Sequence, residues 1–315
     1  MNAHDLIKEA IAEKGKFDSV YWIACGGSMI DLIPAHELLQ REATTFTSYI
    51  YTAREFDIMR PRRLGEKSLV IACSHSGNTP EVVEGCEIAL AAGATVIAQT
   101  DNAGSKIDSG KWTTWVYPWG EGVPQAEVPA AELLDQQEGY ADLADMYAGI
   151  AEMDKILPPA REKVNAELGD RFAKLCQEHE FFYILGSGPN FSQTYGFAIC
   201  SLMEMQWQHC SYIHSAEYFH GPFEATQDGV FYFLQMGSSE CRAMDERALA
   251  FLKTHTDTLM VLDAKEYGME AVPASVRAYL DPVLFYAMNC ELRAARGKVF
   301  DHDPDFRRYM GVVEY

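Results

Sequence analysis

Short apolar segments rich in β-branched and aromatic residues alternate with longer helical patterns along the first half of this 315-residue chain. We predict five strands there, at residues 20–25, 46–50, 68–73, 94–99 and 113–118. Helical patterns cover about 29–42, 80–92 and 127–156. Continuous apolar runs with helices between them are typical of a parallel sheet covered on both faces.

The same alternation restarts after Pro158-Pro159, a pair that we expect to break the chain. Four strands are predicted in this half, at 181–185, 211–214, 230–236 and 258–263. Helices are predicted at about 160–179, 191–208, 242–254 and 282–296. The first strand of each half also runs into a Gly/Ser turn before a helix. The pattern therefore predicts two tandem α/β domains with doubly wound parallel sheets, at 1–157 and 158–315.

Composition and charge exclude several classes of partner. The chain has 26 Lys and Arg against 46 Asp and Glu, a formal net charge of −20. Polyphosphates and anionic membranes would repel such a chain, so we expect neither nucleic acid nor a membrane as its partner. With 48% hydrophobic and 23% charged residues, it has the composition of a globular protein.

The sequence also indicates a cytoplasmic protein. The N-terminus contains acids and lysines and has no apolar core, so it does not read as a signal peptide. Residues 181–203 are uncharged, but Gly, Ser, Pro, Asn, Gln and Thr interrupt them, which argues against a membrane span. The eight cysteines form no C-x-x-C pair and are expected to be reduced thiols.

The strongest local signal in the first half is the loop Ser74-His75-Ser76-Gly77-Asn78-Thr79-Pro80, between a predicted buried strand and a helix. We expect Thr79 to cap that helix with Pro80 at its first position. Hydroxyls at a helix N-terminus favour a bound phosphate, although a capped turn with solvated hydroxyls gives the same pattern. Ser28, after Gly26-Gly27, is predicted at the same edge of the sheet, which favours phosphate binding.

A dinucleotide site is less well supported than a phosphate site. The Gly26-Gly27-Ser28 turn lacks the G-x-G-x-x-G spacing. In the second half, Gly186-Ser187-Gly188 has Phe191 where the third glycine is required. The chain also contains no G-x-x-x-x-G-K-[ST] sequence.

Candidate acid–base residues lie in the second half. Glu204 stands among Met203, Met205 and Trp207, and apolar surroundings would suit a general base, whereas a helical stripe with Ser201 and Gln208 would place it on a wet face. His220 directly precedes Gly221-Pro222, so it ends an element and could project into a cleft. A hydrogen-bonded histidine without a catalytic role, or a metal site of His214, Glu217 and His220, are the alternatives.

Taken together, these motifs resemble the sugar isomerase (SIS) family as two tandem SIS domains of flavodoxin-like fold. The likeness is greatest to the fructosamine 6-phosphate deglycases, carried by residues 203–207, 214–224 and the tail Arg307–Met310 with Val313–Tyr315. The resemblance implies that Ser28, Ser74, Ser76 and Thr79 hold a 6-phosphate with His75 beside them. It also implies that Glu204 moves a proton between C1 and C2 and that His220 helps to open the sugar ring.

The resemblance makes further residues candidates for substrate contact. They are Gly26 and Gly27 in the first turn and Arg307, Arg308 and Tyr309 in the catalytic tail, where a related synthase carries a lysine. It also implies a homodimer with shared active sites. The expected activity is cleavage of an Amadori sugar phosphate to glucose 6-phosphate and an amine or amino acid, without metal or cofactor. An aldose–ketose isomerase, an aminosugar 6-phosphate deaminase and a non-enzymatic sugar-phosphate sensor are the alternatives.

Overall fold

The computed structural model describes residues 2–117 and 126–314. Its contacts divide the chain into two compact units, Met1–Tyr147 and Ala148–Tyr315. This division falls inside a helix, upstream of the Pro158-Pro159 pair at which the sequence suggests a boundary. Each unit contains one parallel sheet with helices, which confirms the predicted α/β class.

The first unit is built on a five-stranded parallel sheet. Its strands are β1 (Ser19–Ala24), β2 (Thr47–Thr52), β3 (Ser68–Cys73), β4 (Thr95–Thr100) and β5 (Thr113–Val116). They pair in the order β2-β1-β3-β4-β5, and every pair is parallel. All residues of β1 and β3 are buried, as expected for central strands covered on both faces. Residue 118, the predicted end of β5, lies outside the described residues.

Helices of the first unit connect these strands. They are α1 (Ala3–Lys14), α2 (Gly27–Glu42), α3 (Ala53–Met59), α4 (Pro80–Ala91) and α5 (Glu127–Glu138). The sequence pattern predicts neither α1 nor α3. It also predicts one helical tract over 127–156, but Gly139, at φ 85°, ends α5 at a backbone conformation that suits glycine.

The second unit has a four-stranded parallel sheet. Its strands are β6 (Phe181–Gly186), β7 (His209–His214), β8 (Phe231–Met236) and β9 (Leu259–Asp263). The order β7-β6-β8-β9 repeats the first four positions of the other sheet, with β6 corresponding to β1 and β8 to β3. All nine predicted strands are therefore present, and the two sheets share the doubly wound order.

Helices of the second half include two π-helical segments, at Asn165–Gly169 and Phe197–Met205. The α-helices are α6 (Leu143–Val164), α7 (Asp170–Glu178), α8 (Phe191–Gly196), α9 (Arg242–His255) and α10 (Arg277–Val299). Short 3₁₀ turns lie at Gly188–Asn190, Tyr218–His220, Pro222–Ala225, Ala264–Glu266 and Met269–Ala271. None of the helices in the described ranges combines the length and apolar character needed to cross a bilayer.

Prolines lie inside two of these helices, where the sequence predicts a break at Pro158-Pro159 and a helix start at Pro282. Pro158 and Pro159 lie inside α6, because the apolar stripe on either side of them is continuous. That stripe consists of Met153, Ile156, Leu157, Ala160 and Val164, which are all buried. Its burial outweighs the hydrogen bonds that the prolines remove. Likewise α10 begins at Arg277, ahead of Pro282, which was predicted to open it.

The turn between β3 and α4 requires a glycine. Gly77 has φ 67°, and its N–H donates to the carbonyl of Ser74 at 2.9 Å. A Cβ at this position would lie 1.9 Å from Oγ of Ser105 and 2.8 Å from Oγ1 of Thr100. Both the backbone conformation and the available space therefore select glycine here.

We predict that Gly77→Ala destabilises the protein more than the matched variant Gly104→Ala. Gly104 has φ 75°, but a Cβ there would meet nothing within 4 Å. Both variants should lose about 1–2 kcal/mol to the left-handed backbone, and only Gly77→Ala should lose a further ~1–3 kcal/mol to overpacking. Urea unfolding would measure the difference, and equal losses would show that Ser105 moves aside freely.

Candidate functional site

The candidate phosphate site is the loop that leads from β3 into α4. Ser74 is buried, and its Oγ lies 2.9 Å from Oγ1 of Thr79 and 3.5 Å from Oγ of Ser76. The N–H of Asn78 donates to Oγ of Ser76 at 3.2 Å. Three of the hydroxyls assigned to phosphate binding therefore converge at the N-terminus of α4, where the helix dipole favours an anion.

The turn that follows β1 supplies a fourth hydroxyl. Oγ of Ser28, in the first turn of α2, accepts a hydrogen bond from the N–H of His75 at 3.1 Å. The two turns meet, as the shared edge of the parallel sheet predicts. A Cβ at Gly26 or Gly27 would meet nothing within 4 Å, so the backbone of this turn is open to a ligand.

The expectation that the side chain of Thr79 caps α4 is wrong. Thr79 does occupy the N-cap position, and Pro80 follows at the first helical position. However, the Thr79 hydroxyl is bonded to Ser74 and makes no capping hydrogen bond. Because the Thr79 side chain accepts from none of them, the first N–H groups of α4 are left for another acceptor, such as an anion.

His75 is held by carboxylates on both sides of its ring. Its Nε2 lies 2.7 Å from Oδ2 of Asp31, and its Nδ1 lies 3.3 Å from Oδ1 of Asp101. Burial by itself would lower the pKa of His75. The hydrogen bonds and charges of Asp31 and Asp101 outweigh burial, so the pKa is raised above its ordinary value. The two carboxylates therefore favour the charged form of the His75 ring, which lies beside the hydroxyls of the phosphate loop.

Asp31 and Asp101 are not among the site residues that the sequence motifs predict. Asp31 lies one helical turn after Ser28 on α2, and Asp101 directly follows β4. Both positions are at the carboxyl end of a predicted strand or in the helix that follows it. An acidic residue just after a predicted parallel strand is the sequence feature that could have identified both, because ligands bind at the carboxyl edge of such sheets.

Glu204 lies near the C-terminal end of the π-helical segment Phe197–Met205. Its Oε1 accepts a hydrogen bond from Nε of Arg307 at 2.5 Å, and the Glu204 side chain is 22% exposed. The carboxylate is therefore ion-paired, an arrangement that neither of the two predicted environments, apolar surroundings or a wet helical face, includes. The difference arises because the tail, which has no periodic pattern, folds back against this segment.

Glu204 opens into a cleft of about 640 Å³ between residues 203–209 and the C-terminal tail. The cleft is lined by Met203, Glu204, Trp207, Gln208, His209, Arg307, Arg308, Tyr309 and Met310. All three tail residues named as candidate substrate contacts therefore line the same cleft as the predicted base.

Packing around Trp207 attaches the tail to this segment. The guanidinium of Arg308 lies 3.8 Å from the centre of the Trp207 ring, and the ring of His302 lies 4.7 Å from it. Nε2 of His302 also lies 2.8 Å from the carbonyl oxygen of Met205. Cation–π and edge contacts of this kind fix the position of the tail next to Glu204.

His220 ends the 3₁₀ turn Tyr218–His220 and is exposed. Gly221 follows at φ 143°, so the Gly221-Pro222 pair ends the element as the sequence predicts. Tyr218 is fully buried, and its hydroxyl lies 2.6 Å from Oγ1 of Thr226. The ring of Phe219 packs 5.6 Å from that of Phe251. The segment is thus anchored by its aromatic side chains while His220 remains at the surface, and within the described residues its side chain is not bonded to Glu204.

The loop after β8 is the counterpart of the phosphate loop but has different chemistry. The N–H and Oγ of Ser238 both donate to the carboxylate of Asp281, at 2.5 and 2.9 Å. Asp281, on α10, is buried, and burial raises its pKa to about 7 against the hydrogen bonds from Ser238. A carboxyl group of the chain itself therefore occupies the donors that would meet an anion here.

The alternative metal site at His214, Glu217 and His220 has no support in the geometry. Across residues 2–117 and 126–314, no three His, Cys, Asp or Glu side chains are grouped so that they could hold a metal ion. Nδ1 of His214 instead accepts the N–H of Ala216 at 3.1 Å.

Comparison with known proteins links this geometry to one family. The SIS domain model matches residues 18–116, which include the whole first sheet. Over 313 residues the chain is 36% identical to fructosamine deglycase FrlB of Bacillus subtilis (strain 168), covering 96% of this chain and 94% of the relative. It is 30% identical to fructoselysine 6-phosphate deglycase of Escherichia coli (strain K12), covering 99% and 91%.

A solved structure gives the same result. A Bacillus subtilis protein, provisionally described as a phosphosugar isomerase, superposes with a TM-score of 0.91 at 34% identity and covers 99% of this chain and 97% of its own. Similarity at this level over the whole length extends to both sheets and to the tail. The chain belongs to the SIS domain family, in the group that contains the fructosamine and fructoselysine 6-phosphate deglycases.

Proposed function

We propose that this protein is a fructosamine 6-phosphate deglycase, an enzyme that splits an Amadori sugar phosphate into glucose 6-phosphate and a free amine or amino acid. The observation that carries the proposal is the 36% identity over nearly the full length to a fructosamine deglycase. The hydroxyl cluster at the N-terminus of α4 supports the phosphorylated form of the substrate.

The hydroxyls of Ser28, Ser74, Ser76 and Thr79 bind the 6-phosphate together with the first N–H groups of α4. Hydroxyls can rotate to donate to phosphate oxygens, and those of Ser76 and Thr79 lie 3.5 and 2.9 Å from that of Ser74, which supports a common ligand. Against the effect of burial, the hydrogen bonds and charges of Asp31 and Asp101 raise the pKa of the neighbouring His75, which favours its charged form. Such a site binds the phosphate in the ground state and in the transition state alike, so it acts mainly on substrate affinity.

The chemistry requires one proton transfer between neighbouring carbons. The open-chain substrate has a ketone at C2 and a secondary amine on C1. Removal of a C1 proton forms a C1–C2 double bond, and the C2 oxygen takes up a proton, which gives an enaminol. Protonation at C2 with loss of the N–H proton gives an imine, to which one water molecule adds at C1. The resulting carbinolamine expels the amine and leaves the C1 aldehyde of glucose 6-phosphate, so one water is consumed in each turnover.

Glu204 is the base in this proposal. Arg307 engages Oε1 of Glu204 and leaves Oε2 to accept the C1 proton. The cleft beside Glu204 is large enough for a sugar-sized molecule, and Arg308 and Tyr309 line it together with Arg307. The same carboxyl group then returns the proton at C2, because C1 and C2 are bonded to each other and both are within reach of one side chain.

His220 opens the sugar ring in this proposal by moving a proton at the ring oxygen. Its exposed position at the end of an anchored segment suits a side chain that completes the active site of a second copy. We infer a homodimer in which each His220 serves the Glu204 of its partner.

The substrate assignment is tested by offering the purified protein fructosamine 6-phosphates, the same fructosamines without phosphate, and aminosugar 6-phosphates. We expect glucose 6-phosphate and free amine from the first set only. Release of fructose 6-phosphate and ammonia from an aminosugar phosphate would instead identify a deaminase.

As a control on the phosphate site, Ser76→Ala should raise KM about tenfold with little change in kcat, since one donor to a charged group is lost.

We predict that Glu204→Gln lowers kcat by roughly 10²–10⁴-fold while glucose 6-phosphate still binds, because the amide retains the shape of the side chain but cannot accept a proton. Arg307→Gln is the matched control, since it breaks the same ion pair and keeps the carboxylate. Product formed by the wild type in D₂O should carry deuterium at C2 under conditions where the carboxyl proton exchanges with solvent before it is returned. An equal loss of kcat in both variants would show that the ion pair matters rather than the base.

We predict that mixing Glu204→Gln with His220→Ala, each inactive alone, restores activity to about a quarter of the wild-type value. With random exchange about half of the dimers are mixed, and each mixed dimer has one intact site if His220 acts across the interface. If His220 serves its own chain, every site carries one lesion and nothing recovers. Subunit exchange would be verified independently with differently tagged chains.

A further inference from the structure

The imidazole of His75 contacts two carboxylates from two different elements. Asp31 approaches Nε2 from α2, and Asp101 approaches Nδ1 from the end of β4, at 2.7 and 3.3 Å. A neutral imidazole has one N–H and can donate to only one of them, whereas an imidazolium donates to both. The geometry therefore fits the protonated ring.

We propose that Asp31 and Asp101 are positioning residues for the phosphate loop, which hold His75 as an imidazolium so that the loop binds a phosphate dianion more tightly in this charged state. This inference rests on the proposed function, because it concerns the same loop. It adds a role for two residues that do not themselves belong to the hydroxyl cluster, and a dependence of binding on pH.

The main chain of His75 explains how its side chain can order the loop. Its N–H donates to Oγ of Ser28 at 3.1 Å, and its carbonyl oxygen accepts from Oγ1 of Thr100 at 3.2 Å and from Nδ2 of Asn102 at 3.3 Å. The side-chain contacts with Asp31 and Asp101 fix the same residue from the other end. His75 thus links α2, the phosphate loop and the end of β4 into one unit.

The net charge of this cluster is the second reason why the affinity for phosphate should depend on pH. With an imidazolium, the side chains of Asp31, His75 and Asp101 carry a net charge of −1. Loss of the ring proton makes it −2 and leaves one carboxylate without its donor. A phosphate dianion bound beside them would then meet more repulsion and a less ordered loop, so its affinity should fall.

Two further titratable groups face this cluster. Burial, and to a smaller extent the charge of Asp31, raises the pKa of Glu127, at the start of α5, to about 8. Burial, followed by the charges of Asp31 and Asp101, raises the pKa of Cys73, at the end of β3, well above its ordinary value. Glu127 would ionise between pH 7 and 9.5, the range of the experiment below, so the test includes a variant of it.

The direction of the pH dependence follows from the raised pKa of His75. The charged ring persists from acidic pH through the ordinary pKa of histidine, and the charge is lost as the pH rises through the folded-state value. Affinity for phosphate should therefore be constant on the acid side and decline on the alkaline side. Above pH 7 a sugar phosphate is essentially a dianion, so the ligand itself does not titrate in that range.

The experiment measures the Kd of glucose 6-phosphate by calorimetry between pH 7 and 9.5. For the wild type we expect Kd to rise about tenfold across this range, the size of effect of one charge-assisted hydrogen bond. In Asp31→Asn the rise should occur at lower pH, because the carboxylate that stabilises the imidazolium is removed. In His75→Gln the Kd should be weak and independent of pH.

Asp101→Asn is a second variant, for the case that Asp31→Asn does not fold, and it should show a smaller shift because its contact is longer. Two controls should retain the wild-type profile: Glu127→Gln, and Glu87→Gln, which only breaks an exposed ion pair with Lys111 on the same unit. A profile that moves with Glu127→Gln would overturn the inference.

A flat wild-type Kd, or a His75→Gln variant that follows the wild-type pH dependence, would also overturn the inference while leaving the proposed function intact. A wild type that fails both to bind glucose 6-phosphate at any pH and to split fructosamine 6-phosphates would overturn the two together. If Asp31 has only a structural role, Asp31→Asn would raise Kd by the same factor at every pH. The midpoint of the pH dependence of Kd would then be the same as in the wild type.

Discussion

Parallel pairing of β3 with both β1 and β4 is the constraint on which the candidate phosphate site depends. Because these strands run in one direction, the loops that follow them emerge at one edge of the sheet. Ser28, His75 and Asp101 come from three different loops or helices, yet they lie within hydrogen-bond distance of one another through His75. A sheet with one of these strands reversed would send its residue to the opposite edge.

The second sheet shows that this arrangement permits a site without producing one. It has the same strand order, and the loop after β8 also presents an N–H and a hydroxyl, on Ser238. Those donors are taken by Asp281, which α10 carries into the loop. One carboxyl group is therefore enough to occupy the hydrogen-bond donors with which such a loop could otherwise bind an anion. The repeated topology therefore supports different roles in the two halves.

The C-terminal tail places a charged side chain beside Glu204, just as α10 places Asp281 beside Ser238. The ion pair between Glu204 and Arg307 joins side chains that are 22% and 40% exposed, so it contributes about 1 kcal/mol or less to stability. The tail is also held by the contacts of Arg308 and His302 with Trp207 and by the ion pair of Asp305 with Arg293. The ion pair between Glu204 and Arg307 thus matters chiefly for the chemistry at Glu204, because it places a fixed positive charge beside the group that must accept a proton.

The sequence by itself determined the nine strands, their parallel class and the hydroxyl loop, because apolar runs and Ser/Gly/Thr turns act through neighbouring residues. It did not determine the helices around Pro158 and Pro282, where burial of a continuous apolar face outweighed the local preference. Only the tertiary structure decided the partners of His75 and Glu204. Asp31 and Asp101 lie 44 and 26 residues from His75, and Arg307 lies 103 residues from Glu204. Contacts at such separations depend on how the strands pack and how the tail folds back, and local hydrophobic periodicity does not predict either.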